Sequence, residues 1–347
     1  MNSISIDNDS THDQRRSEFL NWKVSVAQYQ QPSLWRSWWQ IISTIGAYAL
    51  LWYLMFLSLS VSWWLTAPLA VVAGGLLIRI FIIFHDCGHG SCFKTRRANA
   101  ICGYVCGFLT FTPYHRWRWE HARHHATSSN LDSRGTGDIW TLTVAEYLAA
   151  PGWKRISYRL IRNPLVLFVI GPLFLLLIQE RVPSSNGNDR ERQSVWWTNL
   201  AILLMVIGMV KIVGLVPYLL IQLISISVAG SIGVWLFYVQ HQFEDTYWEH
   251  TEDREFIAAA LQGSSFYRLP RVLQWFTGNI GFHHVHHLNP RIPNYYLERC
   301  HNSSPMLQTV KPLTPLRSLK SMSLHLWDES GKKLVGFRHL RKASEAD

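Results

Sequence analysis

Histidines three and four residues apart are the first sign of what chemistry this chain can do. In the polar run WRWEHARHHATSSN, His121, His124 and His125 sit at i, i+3 and i+4. On a helix their Cβ atoms cover roughly 100° of one face, close enough to share an ion. Two further clusters exist: His85 and His89 in HDCGHGS, at i and i+4, and His283, His286 and His287 in GFHHVHHLNP. Neutral imidazole suits iron, copper, zinc and nickel, and eight such side chains exceed the four ligands of a mononuclear site. Two adjacent metals fit better. A lone histidine, such as His12, His115, His325 or His339, is ordinarily a surface or packing residue. Chance or pH sensing could explain one cluster, but explaining three needs three coincidences. The residues therefore point to a polyhistidine dinuclear centre assembled from three distant segments.

Something must bring those segments together, and the composition says it is a membrane fold. The chain is 48% hydrophobic and holds 17 Trp, a composition heavy in membrane-interface residues. Its net charge of +10 could suit nucleic acid, but the basic residues form no stripe interleaved with stacking aromatics, so no nucleic-acid partner is expected. A basic face on anionic lipid accounts for it more simply. Cys87, Cys92, Cys102, Cys106 and Cys300 are odd in number, scattered and without a CxxC. That argues against a disulfide framework or a thiolate metal site, and makes them small packing residues in a reducing compartment.

Residues 1–37 are polar, mixed in charge and lack the apolar core of a signal peptide, so they are expected to stay uncleaved in the cytoplasm. Residues 38–60 then carry no charge, and as a helix of about 34 Å they span a hydrocarbon core of about 30 Å. After Val61 and Ser62 a second run, 63–84, follows, with Arg79 placed to snorkel near its far end. This hairpin delivers the chain directly into His85. A second hairpin is predicted from 195–213 and 215–239, with Gly214 and Pro217 at its turn and Lys211 beside it; Gly230 and Gly233 let a lipid chain or, more ordinarily, another helix approach closely. Between the hairpins, 101–112, too short to span, and 164–178, broken by Pro172, both read as interfacial or partly embedded helices; 182–194 has loop composition. DESGKK at 328–333 reads as a hairpin turn. Beyond residue 37 nothing suggests a second domain or a repeat.

Charge fixes orientation. Of 33 Lys and Arg, 4 precede residue 38, 14 lie in 85–194 and 13 follow 240, while the hairpin turns offer only Lys211. By the positive-inside rule both termini, 85–194 and 240–347 are cytoplasmic, and every histidine cluster lands on that side. The expected protein is an all-α, multi-pass membrane protein of four transmembrane helices in two hairpins.

The three clusters, HDCGH, HARHH and HHVHH, resemble the HxxxH, HxxHH and HxxHH boxes of the integral-membrane fatty acid desaturase family. Their surroundings, IIFHDCGH at 82–89, GTGDIW at 135–140, FYVQHQFEDTYW at 237–248 and NIGFHHVHHLNPRIPNY at 279–295, are similar to bacterial acyl-lipid desaturases related to the Δ5 and Δ12 enzymes. The likeness runs from about residue 38 to the end. It implies a cytosolic helical cap over the four helices, holding a non-haem di-iron centre that uses molecular oxygen to place a cis double bond in an acyl chain. The eight box histidines would ligate iron and carry the catalysis, and His284, at the variable position of the third box, would not. The family also has a metal-binding histidine between its second and third boxes, a place that His241 matches better than His250; His301 matches no family ligand. Asp86, Glu120 and Asp138 are candidates to orient imidazoles, with solvated acids the plainer alternative.

The same likeness implies a membrane glycerolipid as substrate, a bacterial-type cytoplasmic membrane, and, with no haem or flavin domain expected on the chain, electrons from a separate donor such as ferredoxin or flavodoxin. Double-bond position and oligomeric state are not implied. A related membrane di-iron hydroxylase or other lipid oxygenase is the alternative, since box spacing alone separates these poorly. A b-type cytochrome wants histidines inside facing transmembrane helices, and a transporter wants ionisable groups there; the central parts of the four spans contain no histidine.

Overall fold

Long uncharged runs become long helices because a helix satisfies its backbone groups internally, as hydrocarbon surroundings demand. The computed structural model describes residues 22–24, 26–135 and 137–340; His12 and the first 21 residues of the N-terminal segment lie outside them. In chain order the helices that position the site are α1 (Leu34–Ser58), α2 (Trp63–His89), α3 (Arg96–Leu109), α4 (Tyr114–Thr127), α5 (Gly152–Ile161), α6 (Gly171–Leu177), α7 (Asp189–Val213), α8 (Leu215–His241), α9 (His283–Leu288) and α10 (Asn294–Ser303). Among the described residues α1, α2, α7 and α8 are long and apolar enough to cross a membrane, as the four-span reading expects.

Each of these helices runs past one end of its expected apolar segment, for local reasons. Ser33 caps α1, accepting from the Arg36 N–H. α2 continues through the whole first histidine cluster and stops at Gly90, whose φ of 72° is left-handed and open to glycine at no steric cost. α7 starts at Asp189, six residues before its apolar run, because the Asn188 side chain accepts from the Glu191 N–H at 3.1 Å and two acids in the first turn suit the helix dipole. The last residues of the expected 182–194 loop are therefore helical. Gly214, at φ 91°, turns α7 into α8.

The interrupted apolar segment differs from expectation in where it breaks. α5 and the helix after residue 165 meet at a 62° bend around residues 162–165, while Pro172 sits within a continuing helix. The five residues before α6 form a π-helical turn, whose wider bonding absorbs the N–H that proline lacks. Pro172 packs on α8, its Cβ only 2.8 Å from where a Gly230 side chain would start; Gly233 faces open space.

The polar segments build a cap on the end of the bundle where α2 and α8 finish. Arg162, buried at the start of the bend, donates to the Leu324 carbonyl at 2.8 Å, Gln242 Oε1 at 3.1 Å and the Tyr238 hydroxyl at 3.2 Å, tying α5, α8 and the C-terminal region together. Leu142–Thr143 pairs in parallel with Leu326–Asp328, which pairs antiparallel with Lys333–Val335. The DESGKK turn joins those last two strands, as its composition suggests.

Candidate metal centre

Three elements end or cross at one place. α2 carries His85 and His89 in its last turns, α8 ends on His241, and α4 lies across both with His121, His124 and His125. Gly88 permits the crossing: a Cβ there would meet the Trp117 ring at 2.6 Å. Trp117 in turn stacks on the His121 ring at a centroid distance of 4.3 Å. α9, a buried six-residue helix, brings in His283, His286 and His287.

The nine imidazoles sort into two sets. His85, His89, His121 and His286 form one and His124, His241, His283 and His287 the other, with the candidate ligand atoms of each set within 4.8 Å of one another. His125 adjoins the first, its Nε2 lying 2.9 Å from His286 Nε2 and 3.1 Å from His121 Nε2, while its ring stacks on His287 of the second. Within the sets, Nε2 atoms approach at 3.2 Å for His121 and His85, 3.1 Å for His124 and His241, and 3.0 Å for His241 and His283. Tetrahedral ligands with metal–nitrogen bonds of about 2.1 Å sit about 3.4 Å apart, so the rings are splayed as ligands around an ion are. His89 Nε2 and His287 Nε2 are buried with no hydrogen-bond partner, a costly arrangement that a bound cation relieves. The residues present fit two metal ions.

Electrostatics favour the same use. Burial above all, and then the crowd of neighbouring imidazoles, pushes His121, His125, His283, His286 and His287 well below the ordinary histidine value. They are neutral at pH 7, the form that ligates metal.

The partners of the outward nitrogens decide which one faces the ion. Asp138 Oδ1 lies 2.6 Å from His124 Nδ1, and the Gly263 carbonyl accepts from His241 Nδ1 at 3.1 Å. Asp86 Oδ1 is 3.5 Å from His85 Nδ1, while its Oδ2 accepts from the backbone N–H and the side-chain amide of Asn294, both at 2.8 Å. Glu120 pairs with Arg116 at 3.2 Å. The Gly263 carbonyl and Asn294 escaped the sequence reading, because a carbonyl leaves no side-chain signal and Asn294 acts across a contact of 208 positions.

The remaining histidines and the thiols have other surroundings. His284 turns away from the centre and meets His301, Nε2 to Nδ1 at 3.0 Å. The cysteines are mainly buried, as packing residues are, yet Cys87, Cys92 and Cys102 are gathered with sulfurs within 4.8 Å of one another. Scatter in the sequence is not scatter in space here, because α3 folds back on the end of α2.

His250 is exposed and bridges two loops, its Nδ1 2.7 Å from Asp132 and its Nε2 3.3 Å from Glu329. These carboxylates, Asp132 first, raise its pKa above the ordinary value. A raised folded-state pKa gives stability that is fully present below the unfolded value of about 6.5 and is lost as pH rises through the folded value. His250→Ala is therefore expected to lower the thermal midpoint at pH 6, to lower it less well above neutrality, and to leave bound metal unchanged at both.

Comparison with known proteins places this geometry in context. The family model described as fatty acid desaturase matches residues 62–312. A fatty acid desaturase of Bacillus subtilis is 49% identical over 316 residues, covering 91% of this chain and 90% of that protein. An sn-1 oleoyl-lipid 12-desaturase of Synechocystis is 26% identical over 285 residues, covering 77% and 75%. An sn-1 acyl-lipid omega-3 desaturase (ferredoxin) of Nostoc is 27% identical over 250 residues, covering 67% and 66%.

Proposed function

The chain belongs to the fatty acid desaturase family, and on that premise we propose that it is an oxygen-dependent acyl-lipid desaturase. It would act on acyl chains of membrane glycerolipids through two iron ions held by His85, His89, His121, His124, His125, His241, His283, His286 and His287. The observation that carries this reading is the pair of converging imidazole sets at the end of the apolar bundle. Bound iron supplies the oxygen-activating power needed to take two hydrogens from adjacent methylenes, which offer ordinary acids and bases no handle.

The protein's own part is placement. The Asp138 carboxylate keeps a proton on His124 Nδ1 and the Gly263 carbonyl keeps one on His241 Nδ1, so that each Nε2 lone pair faces inward. Asp86 does the same more loosely for His85 while anchoring α10 through Asn294. Glu120, paired with Arg116, serves the packing of α4 and is not proposed as an orienting group. Exposed apolar faces on all four long helices fit a lipid surround, and the names of cyanobacterial relatives support a lipid-linked substrate and ferredoxin as the separate electron donor; flavodoxin, the other donor the resemblance implies, is in none of these names.

Two outcomes follow. The purified protein should hold about two iron ions per chain, because nine imidazoles saturate two sites at four or five ligands each; one tightly held zinc and no iron would overturn the assignment. Reporter fusions at residues 61 and 214 should give the outer side, and fusions at 130 and 347 the cytoplasm, following the Lys and Arg distribution. A cytoplasmic signal from both turns would remove the proposed topology.

A further inference from the structure

Beside the metal centre, where α1 begins and α10 crosses it, the surface opens into a cleft of about 260 Å³. That is slightly below the usual range of small-molecule sites, about 300–1,000 Å³, and suits a headgroup better than a whole lipid. Its charge is unbalanced. Arg36, Arg79 and Arg271 line it against one carboxylate, Glu298, which Arg271 already pairs with at 2.7 Å. Among the described residues Arg36 and Arg79 have no carboxylate partner: Arg36 lies over the Tyr295 and Tyr296 rings, and Arg79 stacks on Trp275 at 4.2 Å while donating to Thr44 Oγ1 and the Trp275 carbonyl.

A second observation is independent of those charges. Gln40, 95% buried by its 5% exposure, lines the same cleft; its Oε1 accepts from Asn294 at 3.0 Å, yet its Nε2 has no partner. A buried donor left unpaired is costly, and an acceptor arriving in the cleft would satisfy it. Guanidinium forks and an amide N–H together select a multi-oxygen anion, phosphate above all. The cleft's rim supplies the setting: Trp35, Trp39 and Trp275 are exposed beside it, as tryptophans are at the headgroup level of a bilayer.

We propose that this cleft binds the phosphodiester of a glycerophospholipid substrate, an inference that rests on the lipid-substrate reading above. The bound headgroup is then registered against the metals, because its wall residue Asn294 holds Asp86, which lies against His85. Each guanidinium–phosphate contact is expected to carry about tenfold or more in affinity.

The test is native mass spectrometry of the iron-loaded protein in neutral detergent. It is offered phosphatidylglycerol and the uncharged diacylglycerol with the same chains, and separately phosphatidylglycerol with competing inorganic phosphate. The expected result is retention of phosphatidylglycerol about tenfold or more above diacylglycerol, a preference that Arg36→Gln with Arg271→Gln abolishes while iron stays bound, and little displacement by phosphate. Should the double variant lose iron, Arg36→Gln alone, on an exposed side chain, decides. Equal retention of the two lipids, or a preference indifferent to these substitutions, would overturn the proposal; displacement by phosphate as readily as by lipid would reduce the cleft to a free-anion site and overturn it too. Binding is read without turnover, so absence of desaturation would defeat the functional reading and leave this result standing.

Discussion

Replacing His241 with alanine is expected to remove one of the two metal ions and to abolish desaturation while the protein still folds in the membrane. His241 lies outside the three boxes, yet its Nε2 is 3.1 Å from that of His124 and 3.0 Å from that of His283, and the Gly263 carbonyl holds its other nitrogen. The truncation leaves three imidazoles in that set, and the loss should exceed the about 10–100-fold typical of a residue that only supports a ligand. His301→Ala should not cost metal, since His301 meets only the turned-away His284 among the histidines. Metal analysis and product assay on the same preparation check this. Retention of both ions with near-normal product would mean that the eight box histidines suffice.

Asp138→Asn should be the next most damaging change. The carboxylate lies 2.6 Å from His124 Nδ1 and both side chains are largely buried. Asparagine keeps the shape but brings an N–H that can donate to Nδ1, which moves the imidazole proton to Nε2 and removes the lone pair from the metal side. The expected cost is about 10–100-fold in metal affinity, read by competition with a chelator. Unchanged affinity would mean that packing between Phe237 and the neighbouring imidazoles orients His124 without help.

What the sequence discloses depends on the distance over which an interaction acts. The box histidines announce themselves because helical spacing puts His121, His124 and His125 on one helix, and the hairpins announce themselves by uncharged length. The pairing of Asp138 with His124 spans 14 positions across a loop, and that of Asp86 with Asn294 spans 208, so neither has a local signature. Glu120, immediately before the second box, reads from sequence as no worse an orienting acid than Asp138. Arg116, one turn earlier on α4, takes it instead. His241 was legible only through resemblance, since one histidine at a helix exit is ordinarily interfacial. The bend at residues 162–165 was missed because Pro172 is the conspicuous breaker, and a π-turn that absorbs a proline leaves no compositional mark.

The most direct measurement is to express the chain in a host without acyl desaturation and to locate double bonds in its intact membrane lipids by mass spectrometry. The expected result is a new cis double bond at one position in glycerolipid acyl chains, formed only with oxygen and lost with His241→Ala. Hydroxylated chains, or lipids unchanged despite iron-loaded protein and a supplied ferredoxin, would contradict it.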